Sequence, residues 1–243
     1  MRIKVINGNT FKAMTVGIDT AAQNARSTGT DIVTVQPRSG PESIESYYDE
    51  YLAIPGILEE IRLSGDECDG FVIACWGDPG LEAARELISK PVVGIAEASM
   101  YVANMLAARW GVVTTGHRVR SMIEDTIHRT GFGYRCVSIR TTGLAVVETE
   151  TARDATIAAL VEAGTLAISE DGAEALCLGC AGMSGLDEVL QEVLGVPVID
   201  SVAAAVKMAE SLIGLQKRTS KFRTYAVPET KLIKGYPDHM QPG

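Results

Sequence analysis

Short apolar runs alternate with longer stretches of helical periodicity along most of this chain. The runs predict strands at residues 3–6, 32–36, 71–75, 92–94, 111–114, 137–139, 175–179 and 196–199. Several are apolar throughout, the pattern of parallel strands covered on both faces. The stretches between them predict helices at about residues 12–27, 49–64, 81–89, 99–107, 119–130, 152–171, 186–194 and 202–215. This alternation predicts an α/β protein with two doubly wound parallel sheets. Ligands of such sheets sit beyond the carboxyl ends of the strands. Residues 7–10, 75–78, 114–116 and 180–184 occupy those ends.

The pattern also repeats. Cys75 closes the run Phe71-Val72-Ile73-Ala74, and Cys180 closes Leu176-Cys177-Leu178-Gly179; a glycine, Gly77 or Gly182, follows each by two residues. Pro91-Val92-Val93 begins 16 residues after Cys75, and Pro197-Val198-Ile199 begins 17 residues after Cys180. A duplicated supersecondary unit explains this economically. It divides the chain into a first domain over residues 1–98 and a second over 99–206, with residues 207–243 returning to complete the first. Beyond Lys217 the chain is rich in Pro and polar residues, which suits a surface tail or an arm packed on the first domain or on a neighbouring subunit. If the halves face one another, the ligand site lies in the cleft between them, with one thiol on each side.

Composition narrows the partners. Acidic residues number 31 against 22 basic ones, a formal net charge of -9, which argues against a general attraction to nucleic acid or to an anionic membrane. No apolar run reaches membrane-spanning length, and the opening residues are too soon interrupted for a signal peptide, so a cytoplasmic protein acting on a small molecule is expected. Five cysteines, an odd number, point to reduced thiols rather than a disulfide framework.

Cys75 and Cys180 are both expected at strand-to-helix turns. Asp78 with Pro79, and Ser184 with Asp187, supply capping chemistry for helices that would begin there, and a helix N-terminus favours a thiolate. A thiolate on one face of a carbon and a thiol on the other can remove a proton and return one from the opposite side, inverting the centre through an enolate. Backbone N–H groups at Trp76-Gly77-Asp78 and Ala181-Gly182-Met183 stand where they could receive the enolate oxygen. Cys68, Cys136 and Cys177 read as structural. The spacing Cys177-Leu178-Gly179-Cys180 lies within a strand, unlike a redox pair that opens a helix, and the three scattered His residues form no metal motif.

The segments Asn7-Gly8-Asn9-Thr10, Ala74-Cys75-Trp76-Gly77-Asp78-Pro79-Gly80-Leu81, Pro91-Val92-Val93-Gly94 and Leu178-Gly179-Cys180-Ala181-Gly182-Met183 resemble the hydantoin racemase and allantoin racemase branch of the aspartate/glutamate racemase superfamily. The resemblance runs from the N-terminus to about Ser220. It implies a cofactor-independent isomerase, two pseudosymmetric α/β domains, a homo-oligomer, no metal, and an acid/base pair carried onto Cys75 and Cys180. Amino-acid racemases of the wider superfamily carry Asn-Thr after the first Cys and Thr after the second; Trp76 and Ala181 stand there in this chain, which suits a neutral hydantoin-type ring. Asn9, Thr10, Thr114 and Thr115 are expected to hydrogen-bond that ring, and Tyr48 matches an aromatic that this branch places near the substrate. The competing readings are a decarboxylase or cis-trans isomerase of the same fold using one cysteine, and a two-lobed binding protein without catalysis. Neither has a use for two symmetry-related thiols.

Overall fold

The structure is a computed structural model that describes residues 1–241. It contains two four-stranded sheets of the same design. In the first half the chain runs β1 (Arg2–Asn7), α1 (Lys12–Ala25), β2 (Asp31–Val35), α2 (Tyr47–Leu63), β3 (Gly70–Ala74), α3 (Leu81–Leu87) and β4 (Val92–Gly94). After α4 (Ile95–Leu106), the second half runs β5 (Trp110–Thr114), α5 (Arg120–Thr130), β6 (Cys136–Thr141), α6 (Glu148–Thr151), α7 (Arg153–Ser169), β7 (Leu176–Leu178), α8 (Asp187–Leu194), β8 (Val198–Ile199) and α9 (Ser201–Gly214).

Strand order is β2-β1-β3-β4 in one sheet and β6-β5-β7-β8 in the other, every pair parallel. The same order in both halves fits the duplication visible in the sequence. Buried apolar side chains pack on both faces of β1, β3, β5 and β7, which explains why these strands lack an alternating pattern.

Two helices tie the halves together. α4 leaves β4 of the first sheet and leads into β5 of the second. α9 follows β8 and packs against α4, α1, β3 and β4. There Glu210, held well below the ordinary carboxylate range by bonds from Thr30, the backbone and hydroxyl of Ser27, and Lys207, clamps α9 to the loop after α1. The chain beyond α9 runs along the first half. Lys221 donates to the carbonyls of Arg85 and Glu86, and Arg62 of α2 donates to those of His239 and Gln241.

Two local expectations differ from the structure. α4 begins at Ile95 rather than near residue 99, because the Asp78 carboxylate accepts the N–H groups of Ala96 and Glu97, both at 2.9 Å. Asp78 therefore caps a helix far along the chain; its own helix, α3, opens from Gly80 in the left-handed conformation. Ser184 likewise leaves α8 uncapped and donates to Asp200, which caps α9 by accepting from Val202 and Ala203.

Candidate active site

The carboxyl ends of the central strands of both sheets open onto one cavity of about 560 Å³, a figure that includes its mouth. From the first half it is lined by Asn7 and Asn9 after β1, by Cys75, Trp76 and Gly77 after β3, and by Glu50 of α2. The second half contributes Thr114, Thr115, Gly179, Cys180 and Ala181. Met14, Ile44, Val119, Met122, Ile123 and Val146 form apolar walls around these groups.

Each thiol sits in the same local frame. Cys75 directly follows β3, and the N–H of Gly77 bonds to its sulfur; Cys180 lies just beyond β7, and the N–H of Gly182 bonds to its sulfur in the same way. These N–H groups favour the thiolate, but burial outweighs them. Desolvation pushes Cys75 up to about 12, with Glu50, Cys180 and Asp78 adding repulsion. It pushes Cys180 up to about 11, with Glu150 and Glu45 adding to it. The expectation of a thiolate stabilised by a following helix therefore changes. α3 begins six residues after Cys75, at Leu81, and only a three-residue 3₁₀ turn, Ala181–Met183, follows Cys180. Burial thus favours the protonated form of both thiols.

The other walls are rigidly built. Asn7 donates to Asn9 Oδ1 at 2.9 Å and to Thr15 at 3.0 Å, fixing the turn after β1, while Asn9 Oδ1 also accepts the N–H of Phe11. Trp76 is nearly fully buried; its indole N–H donates to Ser201 Oγ at 3.0 Å, and Ser201 donates to the carbonyl of Leu178. The first thiol's neighbour is thereby held by the second half. Across the cleft Arg129 donates to the carbonyl of Gly77, Tyr47 to Asp125, and the N–H of Val146 to Glu45.

Of the residues singled out from the sequence, Cys75, Cys180, Asn9, Trp76, Gly77, Thr114, Thr115 and Ala181 line the cavity. Thr10 turns its hydroxyl to the carbonyl of Pro41, and Tyr48 is 73% exposed on the outer face of α2. Asp78 is buried against α4, Met183 lies in the core of the second half, and Gly182 touches the site through its N–H alone. Thr114 spends its hydroxyl on the carbonyl of Gly179, while no described hydrogen bond uses that of Thr115.

Sequence reasoning missed Glu50. Its signal was available: the buried positions of α2 are Glu50, Ala53, Gly56, Ile57 and Ile61, so a carboxylate stands on the apolar stripe of an amphipathic helix. As an acid in a first turn it was indistinguishable from a capping residue. Asp49 performs that role instead, giving its N–H to Ser46 and accepting the Ser46 hydroxyl.

The chain is similar to known proteins over nearly its whole length. The sequence model of the family described as Asp/Glu/Hydantoin racemase matches residues 3–209. The hydantoin racemase of Pseudomonas sp. (strain NS671) is 55% identical over 236 residues, covering 97% of this chain and 95% of that one. The solved structure of allantoin racemase from Klebsiella pneumoniae superimposes with a TM-score of 0.94 at 44% identity, covering 97% of this chain and 96% of that one. That of allantoin racemase from Pseudomonas fluorescens gives a TM-score of 0.94 at 42% identity, covering 97% of this chain and all, 100%, of the other. The chain therefore belongs to the Asp/Glu/hydantoin racemase family, and as an enzyme it is a racemase, one of the isomerases.

Proposed function

We propose that this protein is a cofactor-independent racemase that inverts C5 of 5-substituted hydantoins or allantoin, with Cys75 and Cys180 as its acid/base pair. The observation that carries this reading is the meeting of two thiols, from equivalent strand ends of two like sheets, in one cavity. The hydantoin racemase and allantoin racemases to which the chain is similar act on such rings by name.

Chemically, the C5 proton of a hydantoin lies beside a carbonyl, so its removal leaves a delocalised enolate. One sulfur takes that proton while the other, still protonated, delivers its own from the opposite face. Burial favours the protonated form of both sulfurs; the reactive form carries one proton fewer on the pair, and the charge of the first thiolate keeps the second protonated. The N–H groups of Trp76 and Ala181, for which no acceptor is described, are available as donors to the enolate oxygen. After the two proton transfers the roles of the sulfurs are exchanged, which suits catalysis in both directions.

The ring rather than a free amino acid is favoured by the apolar walls. Enclosing an α-carboxylate and an ammonium among Ile44, Met122, Ile123 and Val146 would strip their hydration, a cost of several kcal/mol per ion. The test is kcat/KM for single-enantiomer 5-substituted hydantoins and allantoin against free aspartate and glutamate. The expected preference for the rings is at least about a hundredfold, or about 2.7 kcal/mol. Comparable turnover of either amino acid would overturn the substrate assignment.

A further inference from the structure

Glu50 is the one charged side chain among the described residues lining the cavity. It is only 8% exposed, and no hydrogen bond or ion pair among the described residues uses its carboxyl. Its Oε1 lies 2.8 Å from the point where a Cβ on Gly77 would stand, so the carboxyl presses on the turn that carries Cys75. Glycine at 77 is what makes room for it. A buried carboxyl without a partner is costly unless something supplied later satisfies it.

The acceptors already in use show what it is for. A hydantoin-type ring presents two N–H donors and two carbonyl acceptors. Donors are plentiful in the cavity: backbone N–H groups beside both thiols, and the Asn9 amide, whose only recorded acceptor is the Met14 sulfur at 3.2 Å. Acceptors are scarce. Asn9 Oδ1 already takes two N–H groups, and Asn7 Oδ1 takes the N–H of Asn9. Thr114 is engaged with Gly179, which leaves the Thr115 hydroxyl and the Glu50 carboxyl.

We infer that the Glu50 carboxylate accepts a hydrogen bond from a ring N–H of the substrate and so fixes the rotation of the ring between the two thiols. This rests on the proposed ring substrate and adds the group that reads its nitrogen edge. The carboxyl does not touch the reacting carbon in this role; it sets which atom lies between the sulfurs. Burial raises its pKa, the neighbouring Arg129, held by its bond to the Gly77 carbonyl, acts in the other direction, and Asp125 adds to the rise, so a ligand N–H would favour the charged form it meets. A bond from a ligand N–H, formed in a dry pocket to a charged acceptor, is of the strong kind.

The experiment is a cycle between protein and ligand. Wild type, Glu50→Gln and Glu50→Met are each assayed with a 5-substituted hydantoin and with its N1-methyl and N3-methyl derivatives. Binding of 5,5-dimethylhydantoin, which has no C5 proton, and of its N-methyl derivatives is measured in parallel by calorimetry. Methylating one of the two nitrogens should cost wild type at least about tenfold in kcat/KM and in affinity, and should cost Glu50→Met less than about threefold. Glu50→Gln, which keeps a neutral acceptor, should fall between them and decides the matter if the Met variant does not fold. Equal methylation penalties in all three proteins, at both nitrogens, would overturn the inference. Coupling in binding without racemisation by wild type would leave the Glu50 assignment standing and remove the proposed reaction; racemisation without coupling would do the reverse. A wild type that neither binds nor turns over these rings contradicts both.

Discussion

The two halves place a cysteine at the same strand end and a glycine N–H on its sulfur, yet they surround the two thiols differently. On the Cys75 side, α2 brings Glu50 into the cavity, and Gly8, the residue after β1, is pressed against the thiol: a Cβ there would lie 2.9 Å from Cys75 Cβ. On the Cys180 side, Thr115 is the residue after the equivalent strand β5, and it has room for a side chain. No charged residue of the second half lines the cavity among those described; Glu150 raises the Cys180 thiol from behind, beside Gly17. The shared topology thus positions two like groups, and the elements attached to it make their environments unlike. The proposed two-base interconversion of mirror images uses the first feature and tolerates the second, because a single ring must be held in one orientation while either face is attacked.

The sharpest way to break the comparison is to remove one thiol at a time. Cys75→Ser and Cys180→Ser should each lower racemisation by about a thousandfold or more with the fold retained, since Ser matches Cys in size but is a far poorer base. Each should retain at most proton exchange of one enantiomer. Cys177→Ser, whose native thiol sits in β7 and donates to the carbonyl of Ser99, should remain active. Circular dichroism and polarimetry on the same preparations check both expectations. Full racemisation by either single mutant would leave no place for the second thiol.

A smaller effect concerns how the two thiols ionise in the wild type. With Cys75 raised to about 12 and Cys180 to about 11, protonated thiols are expected at neutral pH. Ionisation below the pKa rises tenfold for each pH unit, so iodoacetamide labelling of both should climb about a hundredfold between pH 7 and 9 without a plateau. Peptide mass spectrometry reads the two sites separately. A plateau below pH 8 at either site would mean that a thiolate is preformed there, as the sequence had suggested.

The mildest change tests the packing behind Cys75. Gly8→Ala forces its Cβ onto Cys75 and onto Ile44 Cδ1, 3.2 Å away, so the thiol or the strand end must shift. A displacement of this kind should lower kcat by about tenfold. Gly116→Ala, in the matching turn of the second half, meets only the Leu144 carbonyl at 3.7 Å and should stay within about threefold of wild type.

What could be read from the sequence and what could not divide along physical lines. Short, largely apolar runs announced the eight strands, and the repeat of Cys75 and Cys180 announced two thiols lining one cavity, because both depend on local pattern. The roles of Asp78 and Ser184 were misplaced, since each side chain reaches a helix distant in the chain in preference to the nearest one. The short helix at Glu148–Thr151 was hidden in a stretch of acidic and Thr residues with no apolar period. The burial that opposes a thiolate was hidden for a similar reason. A capping residue is visible in sequence, whereas the desolvation that outweighs it comes from walls contributed by both halves. Glu50 stood on a buried stripe and was readable in principle, but only by asking why a charge interrupts that stripe.

The most direct test of the two-thiol account is the fate of the C5 hydrogen in the first few per cent of conversion in deuterated water. Two bases on opposite faces require that the inverted product carry deuterium at C5 while the recovered substrate remains protiated, whichever enantiomer is supplied. Chiral chromatography with mass spectrometry reads both pools at once. Product that keeps its original hydrogen, or substrate labelled as fast as product, would contradict the assignment of Cys75 and Cys180 to opposite faces of the ring.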